Sequence, residues 1–297
     1  MPELPEVETL RRGLERRTLH RRIGDVVVVN ERVLKGQSPS VFRERVVGTR
    51  VTEVRRRGKY LLVRLDAAEP ASPSSAAKTA PPTFLCIHLK MRGQLLLETA
   101  ATPAGRYHCV TLRLDAEGDA EVELLRFYDM WTWGEMRALT EEELAVAVPA
   151  LEAMGPEPLE EAWGGGELAA RLLGRRTAIK STLLDQRVVA GVGNIYADES
   201  LFRARIHPER QAGTLTREEA DILSASIRSV LTEAVEGHGT GSDEYTDLAG
   251  MSGGYTPKVY DRGGQPCPEC GTALSRIRLG GRGTVFCGDC QPEAGQV

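Results

Sequence analysis

Cys267-Pro268-Glu269-Cys270 and Cys287-Gly288-Asp289-Cys290 are two Cys-x-x-Cys pairs with 16 residues between them, and they decide the C-terminal fold. Each tight turn can present two thiolates to one cation, and the spacing is that of a four-cysteine zinc site. Four thiolates fill a tetrahedral ion, so the expectation is one structural Zn2+ with no open position for chemistry. The residues between the pairs read as a β-hairpin. Leu274, Ile277, Val285 and Phe286 are its apolar positions, and Leu279-Gly280-Gly281-Arg282-Gly283 is its turn, with Arg282 on the tip. The other two cysteines, Cys86 and Cys109, lie singly in apolar strand-like runs and read as buried, inert thiols. A chain of 297 residues with no secretion-type leader has no need of a disulfide framework.

Upstream of the cysteines the chain reads as helical. Thr216-Arg217-Glu218-Glu219 is a capping box opening a helix that runs to about Glu236. A Gly/Ser-rich loop, 238–256, separates that helix from the cysteine module. The first half reads differently. Leu4, Val7, Leu10 and Leu14 recur at helical spacing, which predicts a helix over residues 3–17. Short strand-like runs follow at 26–30, 46–55, 60–65, 84–89, 94–97, 107–114 and 122–127, the pattern of a sandwich or barrel. Residues 67–83 are low-complexity and rich in Pro, Ser and Ala, and read as a hairpin loop. The acidic, Gly/Pro-punctuated stretch 141–166 ends the β-rich half. The expected division is 1–137, a linker at 138–170, a helical domain at 171–256 and the finger at 257–297.

The net charge of −4 argues against a polyanionic partner only if it is taken globally. Residues 1–60 carry a net +7, residues 171–187 a net +4, and residues 138–170 a net −8. A polyanion would meet the basic parts if folding places them on one face; otherwise they are solvated surfaces. Arg282 has the same two readings, a solvated hairpin side chain or a finger reaching into a DNA groove or an active site. No run is long and apolar enough for a membrane span, so a cytosolic protein is the default.

Two further stretches bear on chemistry. In Gly191-Val192-Gly193-Asn194-Ile195-Tyr196-Ala197, a Gly-x-Gly-Asn turn leads into a helix near Asn194. A helix N-terminus with free N–H groups suits a phosphate. The basic flanks Arg175, Arg176, Lys180 and Arg187 favour DNA-backbone contact over a plain helix-packing turn. At the start, Pro2 follows Met1 and precedes Glu3 and Glu6. Removal of Met1 would expose a secondary amine, and the helix dipole disfavours its protonated form. Such an amine can attack a carbon and form an iminium, with Glu3 and Glu6 as proton carriers. Taken alone, Pro-Glu is simply a good helix start.

Taken together, these stretches carry a resemblance. Met1-Pro-Glu-Leu-Pro-Glu-Val-Glu-Thr9, the Arg-Gly-Lys-Tyr-Leu-Leu run at 57–62, His-Leu-Lys-Met-Arg-Gly at 88–93, Gly-Val-Gly-Asn-Ile-Tyr-Ala at 191–197 and the four-cysteine finger are similar, over nearly the whole chain, to the formamidopyrimidine-DNA glycosylase family. The resemblance implies an α+β fold: an N-terminal β-sandwich flanked by helices, then a helix–two-turn–helix domain carrying the zinc-finger hairpin. It implies a base-excision-repair enzyme acting on double-stranded DNA with oxidised purines, as a monomer, in the cytoplasm and associated with the nucleoid of a bacterium.

It also implies roles. Pro2 would attack C1′ of the deoxyribose, Glu3 would donate a proton, Lys59 would assist β-elimination, and Arg282 would grip phosphate and assist δ-elimination. Asn194, Arg176 and Lys180 would contact the backbone or the lesion side. Met91 would fill the gap left by the flipped base, and loop 238–256 would cover the lesion. Flipping is needed because C1′ and the damaged edge are inaccessible in the duplex. Leu4, where the related endonuclease VIII branch usually has Gly, points to the oxidised-purine branch.

Two stretches depart from the family pattern. Asp129-Met130-Trp131-Thr132-Trp133-Gly134 stands where Asp-x-Arg-Thr-Phe-Gly is usual. Trp133 can replace the aromatic wedge, but Trp131 replaces the Arg that reads the orphaned cytosine, and an indole offers one donor rather than a fork. Weaker discrimination of the opposite base is the expectation. At Tyr107-His108 the family tends to have its DNA-contacting His one place earlier, and either residue could serve. Two rivals stand beside this reading: an oxidised-pyrimidine glycosylase of the endonuclease VIII type, and a non-catalytic zinc-finger DNA-binding protein. The second leaves Pro2, Glu3 and Lys59 unexplained.

Overall fold

Apolar residues at every third or fourth position of the first helix, and alternation along the strands, set what is buried. The computed structural model describes residues 1–67, 82–116, 122–241 and 245–293. The chain forms two compact units. One comprises 1–2, 6–152 and 241–253; the other comprises 3–5, 153–240 and 254–297.

In the first unit α1 (Leu4–Thr18) is followed by β1 (Ile23–Val28), α2 (Pro39–Val46), and strands β2 (Thr49–Arg57), β3 (Tyr60–Ala67), β4 (Thr83–His88), β5 (Gln94–Thr99), β6 (His108–Leu114), β7 (Glu123–Tyr128) and β8 (Glu135–Leu139). Two short helices, α3 (Glu141–Ala147) and α4 (Ala150–Ala153), come next. The strands make two antiparallel four-stranded sheets, ordered β1-β6-β7-β5 and β2-β3-β4-β8. Both sheets and α1 share one core. Val26, Val110, Leu125 and Phe127 come from one sheet, Val54, Leu61, Leu85 and Ile87 from the other, and Val7, Leu10 and Leu14 from the helix. Each such fully buried side chain stabilises the fold by about 1.5–3 kcal/mol. The expected sandwich is therefore present. Neither β8 nor α2 was anticipated, and α2 takes the place of the strand start expected at Val46. Ser38 caps α2, whose first position is Pro39.

In the second unit α5 (Gly165–Leu172), α6 (Ile179–Leu183), α7 (Asn194–Ala204) and α8 (Arg217–Glu236) surround a core of Leu168, Leu183, Tyr196, Leu201, Leu223 and Leu231, and Leu4 joins it from the start of α1. The capping box at Thr216 and Glu219 is formed as expected. The expected linker is instead divided between the two units. A second capping box, at Thr140 and Glu143, opens α3 in the first unit, whereas Trp163 and α5 pack into the core of the second. The loop expected at 238–256 is divided too. Tyr245 and Leu248 are buried in the first core, where the Tyr245 hydroxyl donates to the Glu6 carbonyl and the Leu248 carbonyl accepts from Leu97 N–H. Most of the 67–83 stretch lies outside the described residues.

The finger hairpin is β9 (Ser275–Leu279) and β10 (Arg282–Phe286), joined by Gly280-Gly281. Both glycines have positive φ, +54° and +78°, as a tight two-residue hairpin turn demands. Among the described residues no helix is long and apolar enough to cross a membrane.

Candidate active site

Pro2 is buried at the mouth of α1, and Glu3, the next residue, is 2% exposed. The Glu3 carboxylate accepts N–H bonds from Gly193 (2.7 Å), Ile195 (3.0 Å) and Tyr196 (3.5 Å). These are N–H groups of the first turn of α7, which has no side-chain cap of its own. Glu3 therefore caps α7 from a distant part of the chain, with both oxygens engaged and its anionic charge at the positive end of the helix. This corrects the expectation of a phosphate site there, because a carboxylate occupies these donors. The backbone is fixed alongside it: Leu4 N–H donates to the Gly191 carbonyl at 3.1 Å. Gly191 has φ +82°, and a Cβ on it would lie 2.6 Å from Leu4 Cβ, so only glycine permits this approach.

Lys180, expected at the DNA, is buried at 1% exposure, and its ammonium is already engaged. It pairs with Asp198 Oδ1 at 2.7 Å and donates to the Gly283 carbonyl and the Thr284 hydroxyl, both at 2.8 Å. Asp198 in turn accepts from Val285 N–H at 3.1 Å. Burial pushes the Asp198 carboxyl up to about 7 and the Lys180 amine down, opposed by the attraction between them. Asn194 Nδ2 also donates to the Gly283 carbonyl, at 3.0 Å. Lys180 and Asn194 thus grip the residue beside Arg282, whose side chain is exposed. Glu3 and Arg282 both act electrostatically on Lys180, which draws Glu3, Lys180, Asn194 and Arg282 into one neighbourhood of this unit. Arg176 is exposed on the segment leading to α6. Its neighbours Arg175 and Arg187 are partly neutralised by Asp185.

A further buried acid went unnoticed in the sequence. Glu199 accepts N–H bonds from Lys258, Val259 and Tyr260 at 2.8–2.9 Å, tying the finger's entry to α7. In the finger itself the sulfurs of Cys267, Cys270, Cys287 and Cys290 all lie within 4.8 Å of one another. Cys267 to Cys290 is 3.9 Å and Cys270 to Cys287 is 3.5 Å. Tetrahedral zinc with Zn–S near 2.3 Å requires S–S separations of about 3.8 Å, so the four thiols fit one structural Zn2+.

In the first unit Lys59 is buried in the two-residue turn between β2 and β3. His88, at the end of β4, stands close enough to feel its charge. Burial, with Lys90 and Lys59 adding to it, pushes the His88 imidazole down to about 3. Its Nδ1 accepts Lys90 N–H at 2.9 Å, which leaves the proton of the neutral ring on Nε2. His88 lies within the His-Leu-Lys-Met-Arg-Gly run, yet it was assigned no role from the sequence. Met91, in the same run, is half-buried. Tyr107 is 40% exposed, whereas His108 is half-buried with Nε2 at 2.6 Å from the Thr111 hydroxyl. Of that pair, Tyr107 is the residue that faces outward. Trp131 and Trp133 are exposed together on the β7–β8 loop, with ring centroids 4.8 Å apart.

Three family models match the chain in order: the formamidopyrimidine-DNA glycosylase N-terminal domain over residues 1–136, the formamidopyrimidine-DNA glycosylase H2TH domain over 154–246, and the zinc finger found in FPG and IleRS over 264–292. The chain belongs to the formamidopyrimidine-DNA glycosylase family. It is 41% identical to the formamidopyrimidine-DNA glycosylase of Desulfitobacterium hafniense, over 98% of this chain and 100% of that one. The crystal structure of MutM (FPG) from Thermus thermophilus superimposes with a TM-score of 0.81 at 38% identity, covering 98% of each chain. A Lactococcus lactis FPG mutant, in complex with Fapy-dG-containing DNA, gives 0.83 at 29% identity over 98% of this chain and 100% of that one. In this glycosylase the H2TH match begins at residue 154, close to the boundary between the two compact units and upstream of the expected 171.

Proposed function

We propose that this chain is a bifunctional DNA glycosylase and AP lyase of base excision repair, acting as a monomer on oxidised purines in double-stranded DNA. The observation that carries the reading is the Pro2-Glu3 pair. A proline whose nitrogen becomes an amine once Met1 is removed is followed directly by a carboxylate fixed by three N–H donors. In this reading the Pro2 nitrogen attacks C1′, the bond from C1′ to the base breaks, and the base leaves with a proton delivered through Glu3. The C1′–O4′ bond then opens with O4′ taking up a proton, and the resulting iminium acidifies the C2′ hydrogens. Loss of one expels the 3′ phosphate, with Lys59 assisting, and δ-elimination then expels the 5′ phosphate gripped by Arg282. Asn194 and Lys180 serve by holding the hairpin strand that carries Arg282, and Arg176 and Tyr107 are the outward donors available to the DNA backbone. Met91 and Trp133 fill the space of the flipped base, and the 238–256 loop covers the lesion. The expected setting is the bacterial cytoplasm, at the nucleoid.

Borohydride reduction during reaction with an 8-oxoguanine duplex tests this. The mature chain should give a covalent adduct, and a chain whose N-terminus is blocked by a short extension should give none. Equal trapping by the blocked chain would remove Pro2 as nucleophile. Faster excision of thymine glycol than of 8-oxoguanine would move the chain to the oxidised-pyrimidine branch.

A further inference from the structure

Strand β10 is paired along one edge, by β9. Side chains of the helical unit grip it elsewhere, and Asp198 of α7, 2% exposed, is their common point. Its Oδ2 accepts Val285 N–H at 3.1 Å, and its Oδ1 holds the Lys180 ammonium at 2.7 Å. Lys180 in turn reaches the Gly283 carbonyl and the Thr284 hydroxyl, both at 2.8 Å. One carboxylate thus fixes the successive residues Gly283, Thr284 and Val285, and the first of them adjoins Arg282. A two-stranded hairpin is marginally stable by itself, so what grips its strand decides where its tip lies. The tip is close to the same helix as Lys180: a Cβ on Gly280 would stand 3.1 Å from Ser181 Oγ. Thr284 is fully buried, so a donor lost there is not made good by solvent. The grip also needs the ion pair. A buried ammonium deprived of its carboxylate is uncompensated; it sheds its proton or shifts towards water, and either change weakens its hold on Gly283 and Thr284.

We propose that Asp198 is a positioning residue for the second strand-cutting step: by anchoring Lys180 and β10 it sets where the Arg282 guanidinium lies, and so how much β-elimination product goes on to δ-elimination. The proposal rests on the glycosylase and lyase reading, in which Arg282 holds the departing 5′ phosphate. In that step the C4′ proton passes to water, which leaves a dienamine on the Pro2 nitrogen. Its electron pair then breaks the C5′–O5′ bond, and the phosphate leaves with the negative charge. A guanidinium stabilises that charge only when it is placed for it, and a misplacement of about 1 Å can cost roughly 10²-fold. The earlier elimination, across C2′ and C3′, makes no use of Arg282, so the two products report on Asp198 separately.

The test uses the full, zinc-loaded chain in single turnover on a duplex with a preformed abasic site. The ratio of δ product, a 3′-phosphate end, to β product, an unsaturated aldehyde end, is read together with zinc content. Chains that fail to fold catalyse neither step and drop out of the ratio. Asp198→Asn, which keeps the shape and removes the charge, should lower the ratio about tenfold. Thr284→Val, which keeps the ion pair and removes one contact, should lower it about threefold. Glu199 bonds to residues 258–260 rather than to β10, so Glu199→Gln loosens the finger elsewhere and should leave the ratio within about twofold of wild type. An unchanged ratio in Asp198→Asn would overturn the proposal. So would an equal fall in Glu199→Gln, since any loosening of the finger would then suffice, and so would a wild type that stops at the β product. Failure of the underlying reading looks different, because the wild type would then give neither a borohydride-trapped adduct nor a β product.

Discussion

His88 is neutral because charging it would bury an imidazolium, and that has a thermodynamic signature. Its folded pKa, about 3, lies below the ordinary value of 6.5. Between those values the unfolded chain binds a proton that the folded chain refuses, so stability falls as pH falls through that window. The slope is at most about 1.4 kcal/mol per pH unit. Urea unfolding at pH 7 and pH 4.5 should show wild type losing about 2–3 kcal/mol to this residue, a component absent in His88→Gln. An identical slope in the variant would place the acid sensitivity elsewhere. At this scale the sequence was uneven ground. The four cysteines could be singled out from their own spacing, whereas Pro2 and Glu3 stood out only beside the other motifs that carry the family resemblance. Lys180 was misplaced, since a lysine among arginines looks like surface charge, and its partner Asp198 lies in another helix.

Helices α6 and α7 act as a clamp on the finger hairpin, through Lys180 and Asp198 to Gly283, Thr284 and Val285, and through Glu199 to residues 258–260. Breaking a buried ion pair from one side leaves an unpaired charge, at a cost of about 3–5 kcal/mol. Lys180→Met and Asp198→Leu should each lower the urea midpoint correspondingly, and the double variant should recover most of that loss. A double variant no better than the worse single one would show that the carbonyl and hydroxyl contacts, rather than the pair, matter. The elements themselves were legible where periodicity or capping was strong, as in α1 and α8. β8 went unseen because five residues after a Trp-Gly turn give too short a pattern, and α2 because Val46 and Val47 read as the opening of β2. What the helices grip was not legible at all, since contacts between separate stretches leave no local pattern.

At the scale of the molecule, the finger is the smallest cooperative piece. Its core is Phe202, Val259, Leu274 and Val285 with three of the cysteines, too little apolar area to stand without the ion. Removal of zinc by a strong chelator should open 257–293 to proteolysis and lower DNA affinity, while the sandwich unit keeps its protection; resistance of the finger to cleavage would contradict a structural metal. The sandwich and the helical unit could be told apart in the sequence by composition, but the true seams could not, because the chain crosses between units at residues 3–5 and again near 241 and 253. The cap that Glu3 places on α7 has a consequence for the order of synthesis. Glu3 and Gly193 are 190 residues apart. At about 5–20 residues per second, roughly 10–40 seconds pass between their emergence from the ribosome. Throughout that interval the third residue has no helix to cap, and the amine beside it has no fixed carboxylate. On the proposed reading, a chain aborted in its first half carries the amine without its fixed carboxylate, so strand cutting is expected only once the part of the protein that organises it has been made.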